Sequence, residues 1–335
     1  MPGVRVLSFH AAYRCRHAGA CCTSNWPIPI EADRLAQLRS ALATGALRPA
    51  APGIDLDVDH VAVLGRSHGR CVFFNDDAAS ASGRCHIHAT FGHSALPLAC
   101  RQFPRVSVID PRGVSVTLSH YCPTAASLLD ADVGAEARQP TLQVDAPAFP
   151  PNGEYIGLDA RDALPPLVRP GMLMDWEAWW ECERLAVDLL MFTDPPHDAL
   201  ARLRAAVQDL GLWSPADGPL LDRVRSAFEA DRRSRANVPT ADLVAAVHAA
   251  IPADLGAPPV LVEPRPTDRA IGRFLAAHAF ANWPIHVGAG LPIWLRSIEA
   301  ASALIDAGFG IRAADLRLRH LADTRLLCHA LARLG

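Results

Sequence analysis

Residues 15–22 read Cys15-Arg-His-Ala-Gly-Ala-Cys21-Cys22, and these three closely spaced cysteines open the most informative part of the chain. Seven of the nine cysteines lie in the first 122 residues. The other four of this group stand in short motifs, Gly69-Arg-Cys71-Val-Phe-Phe, Arg84-Cys85-His-Ile-His, Pro97-Leu-Ala-Cys100-Arg-Gln-Phe-Pro and His120-Tyr-Cys122-Pro. Thiols clustered in this way predict a chemical role, and we expect that role to be metal binding.

The compartment decides how these thiols are interpreted. The chain of 335 residues contains no apolar run near the length of a membrane-spanning helix, and its start lacks the apolar core of a signal peptide. We therefore expect a cytoplasmic protein, in which structural disulfides are rare and a cysteine cluster indicates metal binding or catalysis. The net charge of −3 gives no electrostatic reason to expect nucleic acid or a membrane as a partner.

Two cysteines stand apart from the cluster. Cys182 and Cys328 lie in apolar, helical segments without a neighbouring cysteine. Because free cysteine packs as a small hydrophobic residue, we interpret both as buried core thiols. The tryptophan-rich segment from Trp176 to Trp180 is interpreted as the core face of a helix, with a partner-binding surface as the alternative.

The order of elements predicts an α+β fold. A small, loop-rich, metal-stapled module with a short β-hairpin is predicted at residues 1–138, a Pro-rich junction at 139–170, and a mainly helical domain at 171–335. Short strands are predicted at 60–65 and 71–74, and a polar loop at 75–83. Helices are predicted from hydrophobic spacing and capping residues at 31–43, 175–190, 197–210, 219–235, 240–250, 267–282, 292–307 and 311–333.

The clearest local signal is the hairpin. Arg105-Val-Ser-Val-Ile and Val114-Ser-Val-Thr-Leu are rich in β-branched residues, and Asp110-Pro-Arg-Gly113 between them has good turn chemistry. Cys100 and Cys122 stand just before and just after this hairpin. Pairing of its arms would bring the two cysteines towards the same end of the sheet.

The number of cysteines limits how many metal sites the chain can form from thiolates alone. Thiolate is a soft, anionic ligand, and four thiolates form a tetrahedral zinc site or hold an iron–sulfur cluster such as 4Fe-4S. Seven cysteines exceed one such site and are one short of two, and histidine could supply the difference. Eight histidines lie in the same 122 residues, namely His10, His17, His60, His68, His86, His88, His93 and His120. Together they support metal binding, whereas each alone is interpreted first as a surface or hydrogen-bonding histidine.

These motifs, in this order and with their flanking residues, resemble the zinc- or iron-chelating cysteine-cluster family over roughly residues 9–130. The chain looks most like the branch that contains flagellin lysine N-methylase, because of Cys100-Arg-Gln-Phe-Pro-Arg-Val and Thr117-Leu-Ser-His-Tyr-Cys122-Pro. The resemblance implies an iron–sulfur or zinc site. It also implies methyl transfer from S-adenosylmethionine to lysine of a flagellin-like protein. The positions that match as metal ligands are Cys15, Cys21, Cys22, Cys71, Cys85, Cys100 and Cys122.

The chain departs from the family pattern, Cys-x2-Cys-x2-Cys-Cys, at Ala18, where a second cysteine would stand. Three explanations are open: seven thiolates suffice, a histidine such as His17 substitutes, or one site has been lost. Two other functions are also open, a non-catalytic zinc-stapled binding module and an iron-dependent redox enzyme. A catalytic site predicts a concave pocket beside the cysteines, and a structural module predicts four protein ligands for every metal. The sequence identifies no catalytic or S-adenosylmethionine-binding residue and no oligomeric state.

Overall fold

The α+β architecture expected from the sequence is confirmed in a computed structural model of the chain. The structure describes residues 4–16, 18–24, 26–49, 51–56, 61–75, 84–132, 139–144, 148–149, 155–234, 238–255 and 259–334. The strands are β1 Val4–Leu7, β2 Ile54–Leu56, β3 Ala62–Leu64, β4 Arg66–Ser67, β5 Arg70–Cys71, β6 Phe74–Asn75, β7 Arg84–Cys85, β8 Arg105–Asp110, β9 Gly113–Leu118, β10 Thr141–Val144, β11 Gly157–Asp159, β12 Leu167–Arg169 and β13 Met172–Leu173. The α-helices are α1 Ala32–Ala43, α2 His86–Phe91, α3 Leu98–Gln102, α4 Pro123–Ala126, α5 Trp176–Phe192, α6 Pro196–Gly211, α7 Leu220–Glu229, α8 Thr240–Ala249, α9 Asp268–Ala279, α10 Pro284–Val287, α11 Leu291–Asp306, α12 Ile311–Leu316 and α13 Thr324–Ala332.

The predicted hairpin is the centre of a five-stranded sheet with the order β10-β1-β9-β8-β11. Its arms pair antiparallel from Arg105 opposite Leu118 to Asp110 opposite Gly113. The Asp110 carboxylate accepts a hydrogen bond of 2.8 Å from the Arg112 backbone N–H, and this closes the turn. β1 is parallel to β9, and β11 is parallel to β8. The Pro-rich segment 139–170 thus supplies both outer strands of the sheet, while the division of the chain into domains stays a prediction.

The remaining N-terminal strands are short pairs that carry thiols. β4 pairs with β5, which ends at Cys71, and β6 pairs with β7 so that Phe74 faces Cys85. The single strand predicted at 71–74 is therefore two strands, because the chain turns at 72–73 and buries the Phe73 ring. The strand predicted at 60–65 is observed as β3, whereas His60 and residues 76–83 of the predicted loop lie outside the described residues.

The helical predictions for the C-terminal half are confirmed, with the largest differences in the bounds of three helices. The helix predicted over 311–333 is divided into α12, a π-helical turn at Arg317–Leu321, and α13. The division has a local cause, since the Asp323 side chain accepts a hydrogen bond from the Leu326 backbone N–H and begins a new helix. Two predicted ends are also too late, since α7 ends at Glu229 and α9 at Ala279.

The helices pack against the sheet around a continuous apolar core. Leu7 and Val108 of the sheet belong to the same buried cluster as Trp179 and Phe274 of the helices. The Trp179 ring is buried, with the Trp294 ring 5.6 Å away, so this part of the tryptophan segment is a core face. Cys182 and Cys328 are buried as expected. A second, smaller apolar cluster lies under the N-terminal thiols.

The Asp315 carboxylate on α12 ties the loop after the hairpin to the helices. Its Oδ2 atom accepts hydrogen bonds from the Ser119 hydroxyl at 2.5 Å and from the Tyr121 backbone N–H at 3.2 Å. Asp315 and Ser119 are both fully buried. Because a buried carboxylate is costly unless it is hydrogen-bonded and paired, these contacts hold the segment that leads to Cys122 against the C-terminal half.

Basic side chains complete the surroundings of Asp315. Its Oδ1 atom lies 3.2 Å from Arg319 Nε and 3.4 Å from His278 Nε2, and His120 is also close. Burial alone would raise the pKa of the Asp315 carboxyl, but His120, His278 and Arg319 hold it well below its ordinary value. His120 Nε2 lies 3.0 Å from His10 Nε2, so the two buried rings share a hydrogen bond.

A second buried carboxylate connects helix α5 to the sheet. Glu183 Oε2 accepts hydrogen bonds from Arg112 at 2.9 Å and from Arg5 at 3.3 Å, and Oε1 accepts one from the Ala281 backbone N–H. Burial favours the neutral acid, but the charges of Arg112 and Arg5 outweigh it and lower the pKa of Glu183. Glu183 therefore stays ionised between β1, the β8–β9 turn and the residues that follow α9.

We expect Glu183→Ala to lower the free energy of unfolding by about 3–5 kcal/mol, because it removes one partner of a buried ion pair. Glu181→Ala is the matched control on the same helix, since Glu181 pairs with the half-exposed Arg184 and Arg225 and should cost at most about 1 kcal/mol. Urea denaturation followed by circular dichroism measures both values. Equal losses in the two variants would contradict the role given to Glu183.

Acid should weaken the junction around Asp315. Burial, and then the charge of Arg319, lowers the pKa of His278 from 6.5 to about 4. The unfolded chain therefore binds more protons than the folded one between pH 6.5 and 4, and stability falls as the pH is lowered through this window. His278 alone should contribute a loss of about 3 kcal/mol.

Urea midpoints at pH 7.5 and pH 4.5 measure this loss, and His278→Gln should reduce the difference between them. The same pH dependence in the variant and the unaltered protein would show that another group is responsible.

Candidate metal centre and the adjoining cavity

Five of the seven predicted metal ligands come together, and we call them the five-thiol centre: Cys21, Cys22, Cys71, Cys85 and Cys100. Cys22 is at its middle, with its sulfur 3.9 Å from that of Cys21 and with Cys71 and Cys85 as further hydrogen-bonding partners. Cys100 is close enough to Cys21, Cys71 and Cys85 for their charges to act on its thiol. Residues separated by almost 80 positions in sequence are thus neighbours in the fold.

Each thiol of the centre is placed by a short element. Cys21 and Cys22 lie in the 3-10 turn Ala20–Cys22, which follows Gly19 at φ 71°, a backbone conformation that favours glycine. Cys71 ends β5, and Cys85 precedes α2 as its N-cap.

Cys100 depends on a carboxylate from another part of the chain. Both Glu31 oxygens accept from the Leu98 backbone N–H, at 3.0 and 3.1 Å, and this holds the start of the short helix α3 that carries Cys100. The five-thiol centre is therefore tied to the residue that precedes α1.

The electrostatics of the centre favour thiolate at some positions and thiol at others. Hydrogen bonding from Cys22 lowers the pKa of both Cys21 and Cys85, and the backbone N–H groups of His88 and Ile87 act in the same direction on Cys85. Neighbouring thiols, Cys21 first, raise the pKa of Cys22. N–H groups directed at sulfur are a means by which proteins tune iron–sulfur clusters. The donor set, thiols only, thus fits a thiolate-held metal or cluster.

Cys15 and Cys122 lie apart from the centre with Tyr13, and we call these three residues the two-thiol corner. The Tyr13 hydroxyl is 3.9 Å from the Cys122 sulfur and also interacts with Cys15. Burial raises the pKa of Cys122, while backbone N–H groups of Ala125 and Thr124 favour its thiolate form. Nothing in the sequence indicated that these two cysteines lie apart from the other five.

A cavity of about 790 Å³ lies between the two groups of thiols. Cys21, Cys22, Cys85 and Cys100 contribute to its wall on one side, and Cys15, Tyr13 and Cys122 contribute to it from the corner. Ala18, which stands where the resembled pattern Cys-x2-Cys-x2-Cys-Cys has a cysteine, also lines it. The expectation that the hairpin brings Cys100 and Cys122 towards one end of the sheet is confirmed, since Arg105 pairs with Leu118 and both cysteines line this cavity.

The histidines near the cysteines have different positions. His88 and His93 line the cavity, with their rings 5.9 Å apart, whereas His86 is exposed. His120 is fully buried and hydrogen-bonds His10. His17, the proposed substitute ligand, lies outside the described residues. Within the described ranges, no three His, Cys, Asp or Glu side chains are already arranged to hold a single metal ion, and coordination stays a prediction.

Sequence reasoning missed the arginines of the cavity. Arg14, Arg16, Arg101 and Arg105 all line it. A signal was present, because Arg14 and Arg16 flank Cys15 and Arg101 follows Cys100. Tyr13 and Glu31 had no such signal, since their partners are distant in sequence.

Comparison of the chain with models of protein families, with curated proteins and with solved structures finds no match in any of the three. None of the described helices is both long enough and apolar enough to cross a membrane.

We expect Cys21→Ser and Cys100→Ser to lose metal and to unfold the N-terminal module. Loss of a ligand should reduce metal affinity by more than the roughly 10–100-fold that loss of a supporting hydrogen bond costs. Cys328→Ser is the control, because that thiol is buried in α13, away from both groups. Cys15→Ser should keep the metal of the five-thiol centre. Metal per chain and circular dichroism measure the outcomes, and a folded, fully metallated Cys100→Ser protein would disprove the assignment.

Proposed function

We propose that this protein holds an iron–sulfur cluster in the five-thiol centre and uses the adjoining cavity for catalysis, with methyl transfer as the reaction class. The five thiol donors and the backbone N–H groups directed at the Cys85 sulfur support the cluster. The motif resemblance supports methyl transfer from S-adenosylmethionine to lysine of a flagellin-like protein. A cytoplasmic location belongs to the same proposal.

The cavity is the observation that carries the proposal. A metal that only staples a module needs four protein ligands and no access for another molecule. Here four thiols of the centre line a space of about 790 Å³, which is in the size range of small-molecule binding sites. This geometry favours a reactive centre over the zinc-stapled binding module.

The chain's own residues would provide binding and orientation in this cavity. Phe103 and Leu96 form an apolar part of the cavity wall. The Tyr13 hydroxyl lies 3.9 Å from the Cys122 sulfur and so helps to position the Cys122 side of the cavity. A bound iron–sulfur cluster would supply one-electron chemistry or an iron ion able to hold a ligand. The Glu31 contact to α3 would keep Cys100 in position as a ligand enters.

We expect protein purified without oxygen to contain iron with matching acid-labile sulfide and a broad visible absorption band. It should also transfer tritiated methyl groups from S-adenosylmethionine to flagellin, and Cys100→Ser should not. Cys328→Ser is the control that keeps both properties.

Zinc without sulfide or colour would contradict the cluster and favour the binding module. A normal cluster with no methyl transfer above the enzyme-free control would contradict the methylase reaction and favour iron-dependent redox chemistry.

A further inference from the structure

The wall of the cavity beside the thiols contains positively charged arginines without acidic residues beside them among its described residues. Four arginines line it, and no Asp or Glu is present among the described residues of its wall. In a chain with 32 basic and 35 acidic residues, such a wall is not a consequence of overall charge. A concave surface lined by one sign of charge concentrates ligands of the opposite sign.

Two of these arginines, Arg101 and Arg105, donate hydrogen bonds to backbone carbonyl oxygens. Arg105 donates hydrogen bonds to the carbonyl oxygens of Gln102 and Ala148 at 3.2 and 2.9 Å, and also to that of Arg101. Arg101 donates to the Ser94 carbonyl oxygen at 3.2 Å. Their charges act on the cavity, but these N–H groups are already committed to the backbone.

Arg14 and Arg16 are in a different position. Both are exposed, both line the cavity, and they flank Cys15 at its edge. Among the residues that the structure describes, neither has a carboxylate partner within 4.0 Å. A guanidinium group presents a planar fork of N–H donors that matches carboxylate and phosphate oxygens.

We propose that the cavity binds a small molecule through a carboxylate or phosphate group, which Arg14 and Arg16 hold at its edge. The inference deepens the proposed function by naming the ligand class of the same cavity. The carboxylate of S-adenosylmethionine meets this requirement. A simple alkylammonium ion has no anionic group for these guanidinium groups to hold, and no described carboxylate of the wall attracts it.

The test is calorimetric titration of the anaerobically purified protein, with its metal, against three probes: succinate, inorganic phosphate and butylamine. Butylamine is the control probe, a cation without an anionic group. We expect at least one anion to bind at least tenfold more tightly than butylamine, and added salt to weaken that binding. Binding of succinate alone indicates a carboxylate ligand, and binding of phosphate alone indicates a phosphate ligand. Displacement of the bound anion by S-adenosylmethionine would identify that molecule as one source of the anionic group.

The double variant R14Q/R16Q should weaken anion binding at least tenfold while keeping its metal content and circular dichroism. R39Q is the control with an exposed arginine of α1 that does not line the cavity. Anion binding no tighter than that of butylamine, or unchanged in R14Q/R16Q, would overturn the inference. So would an equal loss in R39Q, which would indicate a general charge effect.

Iron and sulfide analysis of the same sample separates this inference from the proposed function. A normal cluster without selective anion binding rejects only the ligand class. Selective anion binding by protein that lacks sulfide supports the ligand class and rejects the cluster.

Discussion

The buried carboxylate of Asp315 is the interaction on which the arrangement of the two halves depends. It accepts hydrogen bonds from the hydroxyl of Ser119 and the backbone of Tyr121, and it lies beside the basic groups of His278 and Arg319. An ionised carboxylate in an apolar interior is stable only when such partners surround it. The packing of α12 on the loop after the hairpin therefore has little freedom, and Cys122 follows directly in that loop.

The position of the cavity follows from this constraint. Cys122 and Tyr13 are held at the end of the main sheet, whereas the five-thiol centre is held by short strands, turns and the apolar cluster beneath them. Those two-residue strands bury little surface, and each thiol loop depends on contacts with another loop, as the Glu31 bond to α3 shows. A metal bound as proposed would therefore couple thiol chemistry to folding in the N-terminal module, because it would add the cross-links that a small core lacks.

Local chemistry in the sequence was enough to predict several parts of the fold. The hairpin was predictable because turn residues and β-branched arms act over a few positions, and most helices were predictable from apolar spacing. The break before α13 could also be understood from Asp323, although hydrophobic spacing alone continued through it. Asp315 was not predictable, because one acidic residue in an apolar helix has no local sign of a partner almost 200 positions away. The arginines beside Cys15 and Cys100 were visible in the sequence, but their role as part of a cavity wall could be inferred only from the structure.

The sequence by itself determined the types of element, the α+β class and the set of thiols available as ligands. These properties depend on residue type and on short spacings, and both can be read directly along the chain. Only the tertiary structure decided that five thiols meet and two lie apart with Tyr13, and that a cavity with an arginine-lined wall separates them. Such groupings depend on which loops converge, and convergence is decided by burial and by long-range hydrogen bonds such as those of Asp315 and Glu31.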